Sequence, residues 1–452
     1  MSFELTREYI EELQDAIGKQ DKDSVSVLTE SLHAADLAEI FKELTIGEVK
    51  FLYLHLKGEL RADVLIELEE DVRERFLRYL TGEEIAEQII RNMDTDDAAD
   101  VIGELSETKK EEVLRNIRDP ELAGDIVDLL NYDEDTAGGL MAKELIKVNE
   151  NWSIMTCLKE MRKQAGDVDE VYHVYVVDND NKLKGTLSLK KLLLADTRSR
   201  ISDIYKSDVH SVKAEEQREE VANIMNKYDL VALPVVDSIG RLLGRITIDD
   251  VVDVIREEAE RDYQLISGIS EDVEPTANVF LLTRARLPWL FIGLLGGIFS
   301  ALVLGSYEDQ LRIYPEMAFF IPMIGAMGGN VGVQSSAIVV QGLASHTIRL
   351  ETMAKKLFKE LKVASINGVT LSSIILAYNL LTRQSLALTL SVSSALLSVI
   401  LFASMFGTFI PLLLDRMKLD AALATGPFIT TTNDICGLFI YLLIGHALHG
   451  VM

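Results

Sequence analysis

The chain has 452 residues, too many for one ordinary domain, with 72 acidic against 45 basic residues and a formal net charge of −27. The charge is uneven: 64 acidic and 34 basic residues precede position 276, and 8 and 11 follow it. A leading segment this acidic excludes nucleic acid and anionic surfaces as partners and leaves cations or plain solubility, while two distant cysteines, Cys157 and Cys436, exclude a disulfide framework.

Residues 1–130 read as an all-α superhelical repeat domain. Apolar residues recur three or four positions apart in segments such as Leu37 to Phe41, Ala62 to Leu65, Ile85 to Ile89 and Ala98 to Ile102, spaced as in a helical solenoid. The opening residues MSFELTREYI lack the basic and apolar regions of a cleaved signal, so residues 1–275 are expected on the cytosolic side. Asp94, Asp96, Asp97 and Asp100 form a tight acidic cluster, with Asp96 and Asp100 on one helical face. Such a cluster is either a solvated face or half of a divalent-cation site, and the second reading needs an acidic surface opposite.

Residues 131–200 and 201–256 repeat one α/β unit. Val174 to Asp178 is followed by Leu183 to Ser188 and a helix; Leu233 to Asp237 is followed by Leu243 to Thr247 and a helix from Asp249. This resembles a tandem pair of CBS domains, a family whose Gly-x-x-Thr/Ser-x-x-Asp run holds the ribose of an adenine nucleotide. The second copy keeps that run as Gly244, Thr247 and Asp250; the first has Lys191 in place of the aspartate. The resemblance makes ATP a candidate ligand of the second copy, and a pair without nucleotide is the other reading.

Residues 249–275 read as a connecting helix and linker. Asp249, Asp250, Asp253, Glu257, Glu258, Glu260 and Asp262 crowd one stretch, which destabilises a helix unless cations offset the repulsion, and this is the opposing acidic surface.

Residues 276–452 hold five apolar runs of membrane-spanning length, near 287–305, 315–343, 361–381, 386–414 and 424–447, with Pro322 and Pro411 permitting kinks in the two long ones. Arg349, Lys355, Lys356, Lys359, Lys362, Arg416 and Lys418 mark the inner loops, so the N-terminus is expected in the cytosol and the C-terminus outside, in a cell membrane. Gly293-xxx-Gly297 in the first span reads as helix packing, and Gly328 to Gln334, with Asn330, reads as a water-lined wall. Asp434 is taken as the only acidic residue deep in a span, and no Lys or Arg lies within the fifth span to offset it. It is therefore either a cation site on a pore or a neutral carboxyl bonded to a neighbouring helix. Thr430, Thr431, Thr432 and Asn433 supply further oxygens, so Thr431 and Asn433 are expected to line the pore. One carboxylate per chain suits Mg²⁺, which keeps most of its water shell.

In order and motifs the chain resembles MgtE magnesium channels: Asp96-Asp97-Ala98-Ala99-Asp100, Thr136 to Met141, Gly328 to Gln334, and Pro427 through Asp434 with Gly437. That resemblance implies a homodimer in the lipid bilayer with hydrated Mg²⁺ at Asp434, and regulatory Mg²⁺ that shuts the pore when abundant. It makes Asp96, Asp100, Asp229, Asp250, Asp253, Glu258 and Asp262 the regulatory ligands, with ATP strengthening the sensing. Arg261 within the acidic helix and Gly426 before the fifth span depart from the family pattern. The absence of HExxH, GxSxG and Walker A runs argues against an enzyme or a pump.

Overall fold

A computed structural model describes residues 5–451 except 57, 69, 167, 169–170, 197, 272, 274–277, 345–351 and 425. Arg349, used above to orient the spans, lies outside the described residues. The chain divides into two units, Met1–Arg256 and Glu257–Met452, and the division falls inside the helix Ile248–Ile266.

Among the described residues of the first unit, ten short α-helices run from Arg7 to Leu129. Their ends are set locally: Thr6, Asp21 and Asp119 accept hydrogen bonds from first-turn amides, Thr45 and Thr81 form capping boxes with Glu48 and Glu84, and Pro120 occupies the first turn of the tenth helix. Each helix is too short to stand alone and is held by its apolar stripe, with Leu13, Leu37, Leu52, Leu65, Leu77, Ile85 and Ile102 fully buried in a shared core.

The α/β repeat is real in three dimensions. Strand β1 (Ile146–Asn149) pairs parallel with β2 (Val174–Val177), which pairs antiparallel with β3 (Leu183–Leu187). Strands β4 (Val212–Lys213), β5 (Ala232–Val236) and β6 (Leu242–Thr247) repeat this order and sense, with a register shift at Val176/Val177 in one copy and Val235/Val236 in the other. The helices Ile154–Gln164 and Arg218–Tyr228 make the parallel crossovers.

Among the described residues of the second unit, five helices are long and apolar enough to cross a membrane: Val279–Ser306, Pro315–Leu343, Met353–Leu381, Leu386–Arg416 and Pro427–Leu448, spans 1 to 5. Span 2 begins as a 3₁₀ segment, Pro315–Phe320, before its α-helix, and span 4 runs through Pro411 without a break. Span 4 is the central element, packed on spans 2, 3 and 5, whereas span 1 rests on span 5 and is mostly exposed. Two small residues set a close backbone crossing: a Cβ built on Gly407 of span 4 would lie 2.3 Å from the carbonyl oxygen of Gly332 in span 2. The expected contact through Gly293 and Gly297 is not made among the described residues. Nothing lies within 4 Å of a Cβ at either; Gly296 instead meets Thr431 of span 5.

Candidate functional site

Span 5 presents Thr430, Asp434 and Leu438 on one face, four residues apart, to a cavity of about 660 Å³. Span 2 forms the facing wall with Gly325, Gly329, Asn330, Val333 and Gln334, and span 1 adds Ser300 and Leu304. The glycines make the groove: Asp434 Oδ1 lies 3.7 and 3.6 Å from where a Cβ would stand on Gly325 and Gly329, so larger side chains there would fill the space beside the carboxylate. Among the described residues no Lys or Arg forms an ion pair with Asp434. Thr430 Oγ1 donates to the Gly426 carbonyl at 3.0 Å, fixing the first turn of the span.

Asp434 and Asn330 are thus brought together. Thr431 and Asn433, expected to line a pore, are not among the residues that line this cavity. At 100° per residue they flank the Thr430–Asp434 face. Thr431 Cγ2 fits against Gly296 of span 1, and Asn433 is buried against Gly328 and Gly332 of span 2, its amide atoms making no hydrogen bond with described residues.

At the start of span 5 the backbone is irregular. Gly426 has φ +55°, and a Cβ there would stand 2.3 Å from the carbonyl oxygen of Ile266, the last residue of the helix Ile248–Ile266; Gly268, φ +81°, meets Pro427. Asp262, one turn earlier on that helix, faces Asp420. Burial raises its carboxyl pKa above the usual range, Asp420 and Glu258 add to this, and Arg261 opposes it. Arg261 does not merely interrupt the acidic run: its guanidinium lies 3.9 Å from Glu258. Asp420 was missed in the sequence because it sits 158 positions from Asp262 in a short loop.

In the first unit the aspartate cluster meets the second α/β copy. Asp96 is half-buried, and desolvation, then Asp97, Asp250 and Asp94, push its carboxyl well above the usual range. Asp97 is pushed up to about 7 by burial, Asp250, Asp100 and Asp94, against Arg73. Asp100 is also drawn to about 7, first by the protein mass around it and then by Glu134, with Arg73 opposing; its side chain is nonetheless open to solvent, so water screens part of this. Asp94, Asp96 and Glu144 each bring one carboxylate oxygen within 4.8 Å of the others. Glu144 also accepts from Thr95 N and Oγ1 at 3.2 and 2.8 Å, which fixes it at the head of the helix Thr95–Gly103. Asp229 ends the helix Arg218–Tyr228 with a left-handed backbone, φ 49°, and no hydrogen bond or ion pair joins it to this group among the described residues. Asp253 is exposed, 3.7 Å from Arg256.

These raised carboxyls fix the sign of a pH effect. Between about pH 4 and 7 the folded protein keeps protons that an unfolded chain has released, so their contribution to stability is largest below pH 4 and falls as pH rises to about 7. A divalent cation competes with those protons and replaces the lost stabilisation. Millimolar Mg²⁺ is therefore expected to raise the melting temperature of the detergent-solubilised protein several-fold more at pH 8 than at pH 5.5, by scanning fluorimetry; equal shifts would remove these aspartates as ligands.

Asp250 Oδ2 accepts from Thr247 N at 3.1 Å and Thr247 Oγ1 at 2.7 Å. The Gly244 position has a packing reason of its own: a Cβ would stand 2.6 Å from the carbonyl oxygen of Ala142, whose backbone pairs with Arg245. Gly185 of the first copy approaches the Lys206 carbonyl in the same way, beside the Thr186–Lys206 bridge. Thr247 and Asp250 of the Gly-x-x-Thr-x-x-Asp run are thus bonded to each other, and Asp250 also faces Asp96 and Asp97.

Family models match the chain along most of its length. A divalent cation transporter model matches residues 321–444, a model for an MgtE intracellular N domain matches 32–135, and CBS domains match 137–197 and 201–257. The magnesium transporter MgtE of Thermus thermophilus is 33% identical over 96% of this chain and 97% of its own, and that of Bacillus subtilis is 32% identical over 94% of each. Among solved structures, the soluble part of a magnesium transporter is similar at TM-score 0.50 and 31% identity, covering 56% of this chain and 98% of its own. The cytosolic domain of the Mg²⁺ channel MgtE in complex with ATP is similar at TM-score 0.51 and 33% identity, covering 54% and 99%.

Proposed function

The chain belongs to the MgtE family of magnesium transporters, and on that premise we propose that it is a Mg²⁺-selective channel for passive influx, closed by cytosolic Mg²⁺. The observation that carries the pore reading is the single carboxylate of Asp434 facing the glycine groove of span 2, with amides of Asn330 and Gln334 on the same wall. A dication that keeps its water shell needs room and few direct ligands, which this cavity supplies. One chain walls it with spans 1, 2 and 5; in a two-fold homodimer a second Asp434 would face the first.

The sensing reading rests on carboxylates forced together against their own repulsion. In the first unit Asp96, Asp97 and Asp100 are pushed against Asp250, and in the second Asp262 is pushed against Asp420. Without a cation, such groups favour separation; Mg²⁺ binding favours contact. Each site contributes RT ln(1 + [Mg]/Kd), about 1.4 kcal/mol at ten times Kd, so three sites give about 4 kcal/mol, enough to invert a two-state equilibrium. The helix Ile248–Ile266 carries acidic residues of both groups and ends against Gly426 at the head of span 5, so closure of the carboxylates acts on the pore-lining helix. Asp229 and Asp253 stand in this scheme as outer ligands, and Glu258 as a neighbour of Asp262. ATP, at Gly244, Thr247 and Asp250, would act as a regulator by orienting Asp250. The likeness to the ATP-bound cytosolic domain of an MgtE channel supports this.

The test is uptake into proteoliposomes driven only by a Mg²⁺ gradient, with Mg²⁺ also varied on the face of the cytosolic domains. Wild type is expected to conduct without nucleotide hydrolysis and to close as that Mg²⁺ rises. The double variant Asp96→Asn with Asp250→Asn is expected to need about ten-fold more Mg²⁺ to close, since about 1.4 kcal/mol of bridging is lost. Closure of the variant at the wild-type concentration would sink the sensing reading.

A further inference from the structure

Glu360 reads in sequence as part of a lysine-rich inner loop, between Lys359 and Lys362. The structure begins the third span eight residues earlier than its apolar run, at Met353, and this carries Glu360 two turns into the helix. Asp434 is therefore not the only acidic residue held inside a span. Ser335 Oγ of span 2 donates to Glu360 Oε1 at 2.7 Å, Ser404 Oγ of span 4 donates to the same oxygen, and the two hydroxyls lie 3.0 Å apart. Both serines are buried, at 5% and 1% exposure. Glu360 itself is half-buried, and its one carboxylate oxygen joins three spans through two buried hydroxyls, where a hydrogen bond to a charged acceptor is stronger than a neutral one.

The clamp sits behind the cavity. At 100° per residue, Asn330 lies about 140° and Val333 about 160° around span 2 from Ser335, on the far side of the helix. Gln334 precedes Ser335 directly, so a small rotation of span 2 at Ser335 moves every polar group on the cavity wall.

We propose that Glu360 is a positioning residue for transport, holding span 2 through Ser335, and span 4 through Ser404, at the rotation that presents Asn330 and Gln334 to the ion path. This rests on the cavity at Asp434 being that path. Glu360 touches no cargo; it acts through the serines.

The experiment compares Mg²⁺ uptake by the full chain in vesicles for Glu360→Ala, Glu360→Gln, Ser335→Ala and the Glu360→Ala/Ser335→Ala pair. Glu360→Ala is expected to raise the half-saturating Mg²⁺ concentration about ten-fold with an unchanged elution profile of the solubilised protein. Glu360→Gln keeps the Oε1 acceptor and is expected to stay within about two-fold of wild type. Ser335→Ala should match Glu360→Ala, and the double variant should add nothing. A wild-type half-saturation in Glu360→Ala, equal failure of Glu360→Gln, or additive effects in the pair would overturn the proposal. If Glu360→Ala does not fold, Ser335→Ala and Ser404→Ala decide it: wild-type half-saturation in both overturns it, and a raised value in either, with Gln tolerated at 360, supports it. Asp434→Ala in the same vesicles separates the two readings, because intact uptake there sinks the pore assignment while leaving the Glu360 comparison readable.

Discussion

Asp434→Ala is expected to reduce Mg²⁺ uptake by at least a hundred-fold, in protein that still folds and inserts. The magnitude follows from charge. At an effective dielectric constant of about 20, a dication about 5 Å from one carboxylate gains roughly 6 kcal/mol, and losing half of that at the rate-limiting step is a fall of about a hundred-fold. Asp434 lies against Gly325 and Gly329 with no described cation beside it, so nothing else in the cavity replaces the charge. Asp434→Asn keeps size and hydrogen-bonding capacity, and is expected to fail as Ala does, which separates charge from shape. Asp434→Glu keeps the charge one methylene further into the groove and is expected to retain part of the flux. Wild-type uptake by the alanine variant, measured by an entrapped Mg²⁺-sensitive dye at equal protein incorporation, would leave the cavity without a transport role.

The second large effect is expected at Gly407. Its missing side chain lets the backbone of span 4 touch the Gly332 carbonyl oxygen, and a Cβ would stand 2.3 Å from that atom and 3.1 Å from the Gly332 carbonyl and α carbons. Backbone cannot swing aside as a side chain can, so Gly407→Val must part spans 2 and 4 by about an ångström, at a cost of roughly 1–3 kcal/mol or more. Because span 2 carries Gly329, Asn330 and Gln334, that displacement deforms the cavity wall directly. A fall in melting temperature of about 5 °C and a loss of uptake of about ten-fold or more are expected. Gly407→Ala should show most of the effect, since the first carbon makes the clash. Gly293→Ala and Gly297→Ala in span 1, with open space around both, are expected to be near wild type in both measurements. A Gly407→Val protein as stable and active as the span 1 variants would contradict the packing described for spans 2 and 4.

Asp434 was legible in the sequence because a lone carboxylate in an apolar run is conspicuous whatever surrounds it. Its neighbours were not: Thr431 and Asn433 have oxygens and adjacency, but helical phase turns one toward Gly296 and the other into the seam beside Gly332. Glu360 was hidden by its company, since four lysines within eight positions read as a loop, and only its bonds to Ser335 and Ser404 mark it as internal. In the first unit the cluster of Asp94, Asp96, Asp97 and Asp100 was visible as a charge run, but Glu144 joins it from 49 positions away through Thr95.

The order of the parts was determined by the sequence alone: an acidic helical array, a duplicated CBS unit with matching strands, a charged connecting helix and five apolar spans. These are signals of period and composition, which a chain carries locally because backbone hydrogen bonding and burial repeat every two or 3.6 residues. Tertiary structure alone decided which polar groups meet. Only the packed molecule shows Asp250 facing Asp96 and Asp97, Asp262 facing Asp420, and Asp434 in a glycine groove, because the phase of each helix is set by all the surfaces it buries.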